Sequence, residues 1–193
     1  MIKFIKKIRK EMKLVEGEEI TRRYFVMNSF DGVLTVLGIL LGSFISGAIV
    51  PHTIIKITLA TGLAMFISGF FGTYVTEEAE REKDIDDLEH ALLTNLDNSV
   101  LKKASKTVAF VSSIVDGISP LLASVIVISP FFFSSVVGTM NAFYISLCLS
   151  FMFLFVLGLY LGDISKNGRL KSGIKMLVVG LIAVLLMSIL GLF

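Results

Sequence analysis

The stretch "NSFDGVLTVLGILLG", residues 28–42, decides how this chain is read. It sets one aspartate, Asp31, at the front of a run of apolar residues and glycines with no other charge. Such a run belongs in lipid, and a charged side chain inside a bilayer costs from ~3 to more than ~10 kcal/mol. A carboxylate placed there needs a physical reason.

Working outward, four more runs of the same kind follow. A helix needs about 20 predominantly apolar residues to cross a hydrocarbon core of ~30 Å. The runs cover residues 30–50, 54–76, 108–128, 142–162 and 173–193. Of the 193 residues 54% are hydrophobic and 18% charged, and the mean hydropathy is +0.84. The expected fold is therefore an all-α integral membrane protein with five transmembrane helices and no soluble domain. Its expected divisions are an amphipathic interfacial segment over 1–27, transmembrane helices 1 and 2 over 28–76, an acidic cytosolic helical segment over 77–106, and transmembrane helices 3 to 5 over 107–193.

Lysine and arginine give the orientation, because basic loops stay on the cytoplasmic side. Lys3 to Arg23 precede the first run, Arg81, Lys83, Lys102, Lys103 and Lys106 separate the second and third, and Lys166, Arg169, Lys171 and Lys175 separate the fourth and fifth. Only Lys56 falls on the other side. This predicts a cytoplasmic N-terminus and a C-terminal "LGLF" outside. The net charge of +2 is then a topology signal, and no nucleic-acid partner is expected. No apolar stretch precedes the first charges, which argues against a cleaved signal peptide. The single cysteine, Cys148, excludes a disulfide framework within one chain.

In the first segment Ile5, Ile8, Met12 and Val15 recur at helical spacing among Lys6, Lys7, Arg9, Lys10 and Lys13. This predicts an amphipathic helix on the inner membrane surface, ended by Gly17. A fainter regularity links "DGVLTVLG" at Asp31 to "DGISPLLA" at Asp116, and "FGTYVTE" at Phe71 to "LGLYLGD" at Leu157. The offsets, 85 and 86 residues, fit either a duplicated pair of spans or chance likeness among apolar helices.

Residues 77–106 contain no proline or glycine, so span two is expected to continue into the cytoplasm as helix. Glu78, Glu82, Asp86 and Glu89 would share one face, with Glu77, Glu80, Asp84 and Asp87 beside it and His90 at the end. Carboxylates and one imidazole suit Mg²⁺, Ca²⁺, Mn²⁺ or Fe²⁺; a solvated acidic face is the plain alternative. Asp31 and Asp116 are each followed by glycine. Either they serve an ion pathway, the default for intramembrane carboxylates, or they cap the N-termini of their spans. The pairs Gly38/Gly42 and Ser68/Gly72 mark small faces suited to contacts within the chain or to a dimer seam, and Gly62, Gly69 and Thr73 line one side of span two down to Glu77 and Glu80.

At these residues the chain resembles the vacuolar iron transporter family. The first span, "RRYFVMNSFDGVLTVLGILLG", has the family's arginine and "DG" followed by an apolar run with glycines; "DGISPLLASVIVISPFF" resembles its third span, and "GRLKSGIKMLVVGLIAVLLMSILGLF" its last. The resemblance implies five spans, a homodimer, and export of Fe²⁺ or Mn²⁺ from the cytosol. It implies a multi-pass protein of the cell membrane, or of a vacuolar-type membrane in a eukaryote. Asp31 matches the family's pathway aspartate. Where the family's second span reads S-M-x-x-G-E-Y, this chain has "SGFFGTY", so Gly69 and Thr73 stand in place of its methionine and glutamate.

The expected function is thus a divalent-cation exporter, with a proton as counter-ion. The expected pathway residues are Asp31, Asp116, Gly69 and Thr73, and the expected metal ligands are Asp31, Glu77, Glu78, Glu82, Asp86, Glu89 and His90. Lipid and the transported ion would be partners, with no permanently bound cofactor. The alternative is a non-transporting scaffold or metal sensor of the same fold. No enzyme is expected, since His52 and His90 are the only histidines and no span pairs a nucleophile with a base.

Overall fold

The computed structural model describes residues 2–166 and 168–189, with side chains from residue 8 onward. Residues 190–193, the "LGLF" end of the fifth run, and the side chains of Ile5, Lys6 and Lys7 lie outside the described ones. Among the described residues there are seven helices and no strand: α1 (Ile2–Leu14), α2 (Gly17–Ile45), α3 (Pro51–Leu92), α4 (Val100–Phe132), α5 (Ser134–Val137), α6 (Thr139–Ser165) and α7 (Arg169–Ile189). Five of them, α2, α3, α4, α6 and α7, are long and apolar enough to cross a membrane.

The helix ends follow local chemistry. Pro51 opens α3, where its missing N–H costs nothing. Lacking an internal breaker, α3 runs 42 residues, about 63 Å at ~1.5 Å per residue, roughly twice a hydrocarbon core. It stops where Leu93 takes φ 50°. In the connector Asn95 and Asp97 bond each other, and the Ser99 hydroxyl accepts the Lys102 N–H at 3.1 Å to start α4. Gly17 does not end the first helix. The turn falls at Val15 and Glu16, with Glu16 at φ 54°, and Gly17 opens α2 because a Cβ there would overlap Val108.

The chain divides into two compact units. One holds Val26–Met65 with Ser119–Phe193, and its core is apolar: Val33, Val36, Leu37 and Leu40 of α2, Ile54 of α3, Ala123, Val127, Ile128 and Phe131 of α4, and Ala142, Phe143 and Leu154 of α6. Its helices meet through small residues. A Cβ on Gly32 would lie 2.5 Å from the Pro120 carbonyl oxygen, one on Gly158 2.7 Å from the Gly173 Cα, and one on Gly162 2.6 Å from the Arg169 Cα. In lipid, close packing of this kind replaces the hydrophobic effect as the force between helices.

The other unit holds Met1–Phe25 with Phe66–Ile118, and its interior mixes apolar side chains, Met12, Ile85, Ala104, Val108 and Ala109, with polar ones. Ser105, Ser112, Ser113 and Asp116 of α4 are buried, as are Thr73 and Glu77 of α3. Helix α1 docks here: Met12 is buried, and Glu11 accepts a 2.8 Å hydrogen bond from Thr107. Part of the apolar face expected to meet lipid is therefore spent on protein.

Candidate functional site

Both Asp-Gly pairs lie deep inside helices. Asp31 follows the start of α2 by 14 residues, and Asp116 follows the start of α4 by 16. Neither caps an N-terminus, since the orphan amides of a helix occupy only its first turn. The capping alternative is thereby removed for both.

Asp116 is 5% exposed and accepts a 2.7 Å hydrogen bond from the Thr73 hydroxyl. Gly69, one turn earlier on α3, leaves room for that carboxylate: a Cβ would lie 2.8 Å from Asp116 Oδ2 and 3.2 Å from the Gly117 Cα. Gly117 in turn permits contact with the Phe66 carbonyl, 2.7 Å from where its Cβ would be. Two glycines and a threonine therefore seat one aspartate between α3 and α4. Pro120, four residues on, has no N–H to offer the Asp116 carbonyl.

Glu77 lies one turn beyond Thr73 on the same face of α3 and is 9% exposed. The Tyr24 hydroxyl donates to its Oε1 at 2.8 Å, and Arg81 Nε sits 3.5 Å from its Oε2. Arg81 also donates to the Val15 carbonyl at 3.5 Å and reaches Asp84 at 4.0 Å. Nearby, Thr21 of α2 and Ser112 of α4 share a 3.0 Å hydrogen bond. The site so built has two buried carboxylates, hydroxyls from three helices, and one arginine.

The remaining expected ligands disperse. Glu78 accepts from Tyr74 at 3.3 Å, and Glu78 and Glu82 line a small cleft with Tyr74, Arg81, Ile85, Lys102, Ser105, Lys106 and Ala109. Asp86 and His90 are exposed, and Glu89 accepts from the Leu96 backbone N–H. Among the described residues no three His, Cys, Asp or Glu side chains converge as a metal site.

Asp31, in the apolar unit, is exposed, and among the described residues it makes no hydrogen bond or ion pair. Gly42, three turns on along the same side of α2, is also exposed and has nothing within 4 Å of its Cβ position; the same holds for Gly72 of α3. These two glycines are not close contacts within the chain. Met65 accepts a weak bond from Thr35 at 3.8 Å, and Met27 is exposed.

Sequence reasoning missed Tyr24 and used Arg81 as one of the basic residues that set the orientation. The available signal was spacing: Arg81 is at i+4 from Glu77, a favourable acid-before-base pair.

Comparison with known proteins agrees with this architecture. The VIT family profile matches residues 84–192. An uncharacterized protein of Methanocaldococcus jannaschii, MJ0645, is 31% identical over 187 residues, covering 95% of this chain and 94% of its own. No solved structure matches. The chain belongs to the VIT family, whose members are multi-pass membrane metal-ion transporters and not enzymes.

Proposed function

We propose that this protein moves Fe²⁺ or Mn²⁺ out of the cytoplasm. The observation that carries the reading is the burial of Asp116 and Glu77 on facing helices, α4 and α3. Two carboxylates withdrawn from water are costly unless compensated, and hard divalent cations take oxygen ligands of the kind assembled here, carboxylates and hydroxyls. Thr73 replaces the family's glutamate, and Glu77 supplies a carboxylate one turn further along the same face. The cation would pass from Glu77 to Asp116.

Asp31 belongs to this reading through its exposure. An intramembrane carboxylate without a partner among the described residues calls for one outside them. The open Gly42 on its side of α2 is suited to close approach of another helix. A homodimer that places Asp31 beside a second copy meets both requirements, and a proton taken up there as metal leaves would keep Asp31 neutral through the cycle. In this reading the N-terminus and the acidic half of α3 face the cytoplasm, as the distribution of basic residues favours, with α1 at the inner surface of the cell membrane, or of a vacuolar-type membrane in a eukaryote.

The test is Fe²⁺ and Mn²⁺ flux into proteoliposomes, with and without a pH gradient, for the wild type and Asp31→Ala. Flux that a pH gradient drives and that Asp31→Ala abolishes, in a protein that still elutes as a dimer, is expected. The second reading, a scaffold or sensor, is favoured by one observation: Gly69 and Thr73 carry no metal-binding group as strong as the methionine and glutamate they replace. It requires wild type and variant both to be silent.

A further inference from the structure

We infer that Arg81 is a tethered internal cation that occupies Glu77 until a metal ion displaces it, and so sets the metal concentration at which transport begins. The inference rests on the reading of Glu77 as a pathway carboxylate. Its warrant is geometric. Arg81 lines a cleft together with Glu78, Glu82, Lys102 and Lys106, while Glu77 does not line it. Arg81 is also the group that reaches from that cleft to Glu77, with its Nε 3.5 Å from Oε2. A cation that enters by this cleft meets the guanidinium before it meets Glu77.

Three features make Arg81 a displaceable stopper rather than a fixed strut. Its side chain is 14% exposed, which places it at the boundary of the buried region. Its contacts are long: 3.5 Å to Glu77, 3.5 Å to the Val15 carbonyl and 4.0 Å to Asp84, whereas a tight guanidinium–carboxylate pair closes to about 2.8 Å. It also has somewhere to go, because Asp84 lies one turn further along α3 and is 66% exposed. A divalent ion arriving at Glu77 repels the guanidinium, and Asp84 receives it. Because arginine stays protonated throughout the accessible pH range, this competition persists at any working pH. The Val15 carbonyl belongs to the α1–α2 turn, so the tether joins the N-terminal helix to the stopper.

The experiment is initial-rate Mn²⁺ uptake into proteoliposomes by the full chain, with wild type, Arg81→Gln, Asp84→Asn, Asp87→Asn and Glu77→Gln measured together. Arg81→Gln is expected to lower the apparent KM for Mn²⁺ roughly tenfold, within the usual range of coupling between two competing ligands, with kcat retained. Arg81→Lys should keep the wild-type KM. Asp84→Asn, which takes away the resting place, is expected to raise KM, whereas Asp87→Asn, the same charge change at an exposed neighbour, should leave it unaltered. Should Arg81→Gln fail to fold, the Asp84 and Asp87 variants decide alone, since both positions are exposed. An unchanged or higher KM in Arg81→Gln, or equal effects at Asp84 and Asp87, overturns the inference. Absent wild-type uptake, or wild-type kinetics in Glu77→Gln, overturns the pathway reading beneath it as well.

Discussion

The two Asp-Gly pairs present the same dipeptide in opposite settings. In both, the glycine lets a neighbouring helix come close: Gly32 meets the Pro120 carbonyl, and Gly117 meets the Phe66 carbonyl. The aspartates diverge. Asp116 is buried and held by Thr73, whereas Asp31 is exposed and unbonded among the described residues. The glycine therefore answers to packing and the carboxylate to chemistry, and a shared motif does not imply a shared role. Asp116 is held within the packing of α3 and α4, while Asp31 lies open on its side of α2.

The glycines should give the largest effects and the least difference. Gly32→Leu and Gly117→Leu each drive a side chain into backbone, where a Cβ alone would stand 2.5 and 2.7 Å from a carbonyl oxygen. Both are expected to abolish folded protein in detergent, beyond the ~1–3 kcal/mol of ordinary overpacking; folded, stable Gly117→Leu would break the packing half of the comparison.

The aspartates should separate. Asp116→Ala leaves the buried Thr73 hydroxyl without its acceptor and is expected to cost ~1–3 kcal/mol of stability, read as a lower midpoint of thermal unfolding. Asp31→Ala removes no hydrogen bond or ion pair among the described residues and should leave the protomer within about 0.5 kcal/mol of wild type, while losing flux. Equal destabilisation by the two would erase the distinction drawn here. Thr73→Val sharpens it from the other partner, with an expected loss of ~1.5 kcal/mol or more for a hydrogen bond to a charged group.

The smallest effect lies in the connector between α3 and α4. The Lys102 hydrogen bond, with help from Asn95, holds the Asp97 carboxyl below the usual carboxylate range. A depressed pKa stabilises the fold above the unfolded value near ~4, and that contribution disappears as pH falls through the folded value. The connector should therefore loosen in acid, seen as faster amide exchange at residues 95–99, and Asp97→Asn should show the same loosening at neutral pH.

Much of the fold was legible in the sequence because lipid imposes simple demands. Apolar runs gave five spans, and the absence of proline and glycine over 77–106 gave the extension of α3 as far as Leu92 but not the break at 93–99. Asp116, Thr73, Gly69 and Glu77 were each singled out from the sequence, and the structure brings them into one unit. The acidic face was less legible. Helical periodicity groups Glu78, Glu82, Asp86 and Glu89, but it contains no information about where α4 returns, and that decides which of them line the cleft. The start of α2 at Gly17 was hidden because its glycine reads as a helix stop. Only the contact with Val108, 91 residues away in sequence, explains it.

The central claim is that the carboxylate seated between α3 and α4 carries the ion. Its most direct test is Mn²⁺ uptake into proteoliposomes by Asp116→Asn, which keeps shape and an oxygen for Thr73 while removing the charge, beside wild type at equal folded protein. The account predicts robust uptake by wild type and uptake by Asp116→Asn no greater than that of empty vesicles. Equal uptake by the two would contradict it and would leave Asp116 a structural anchor for Thr73.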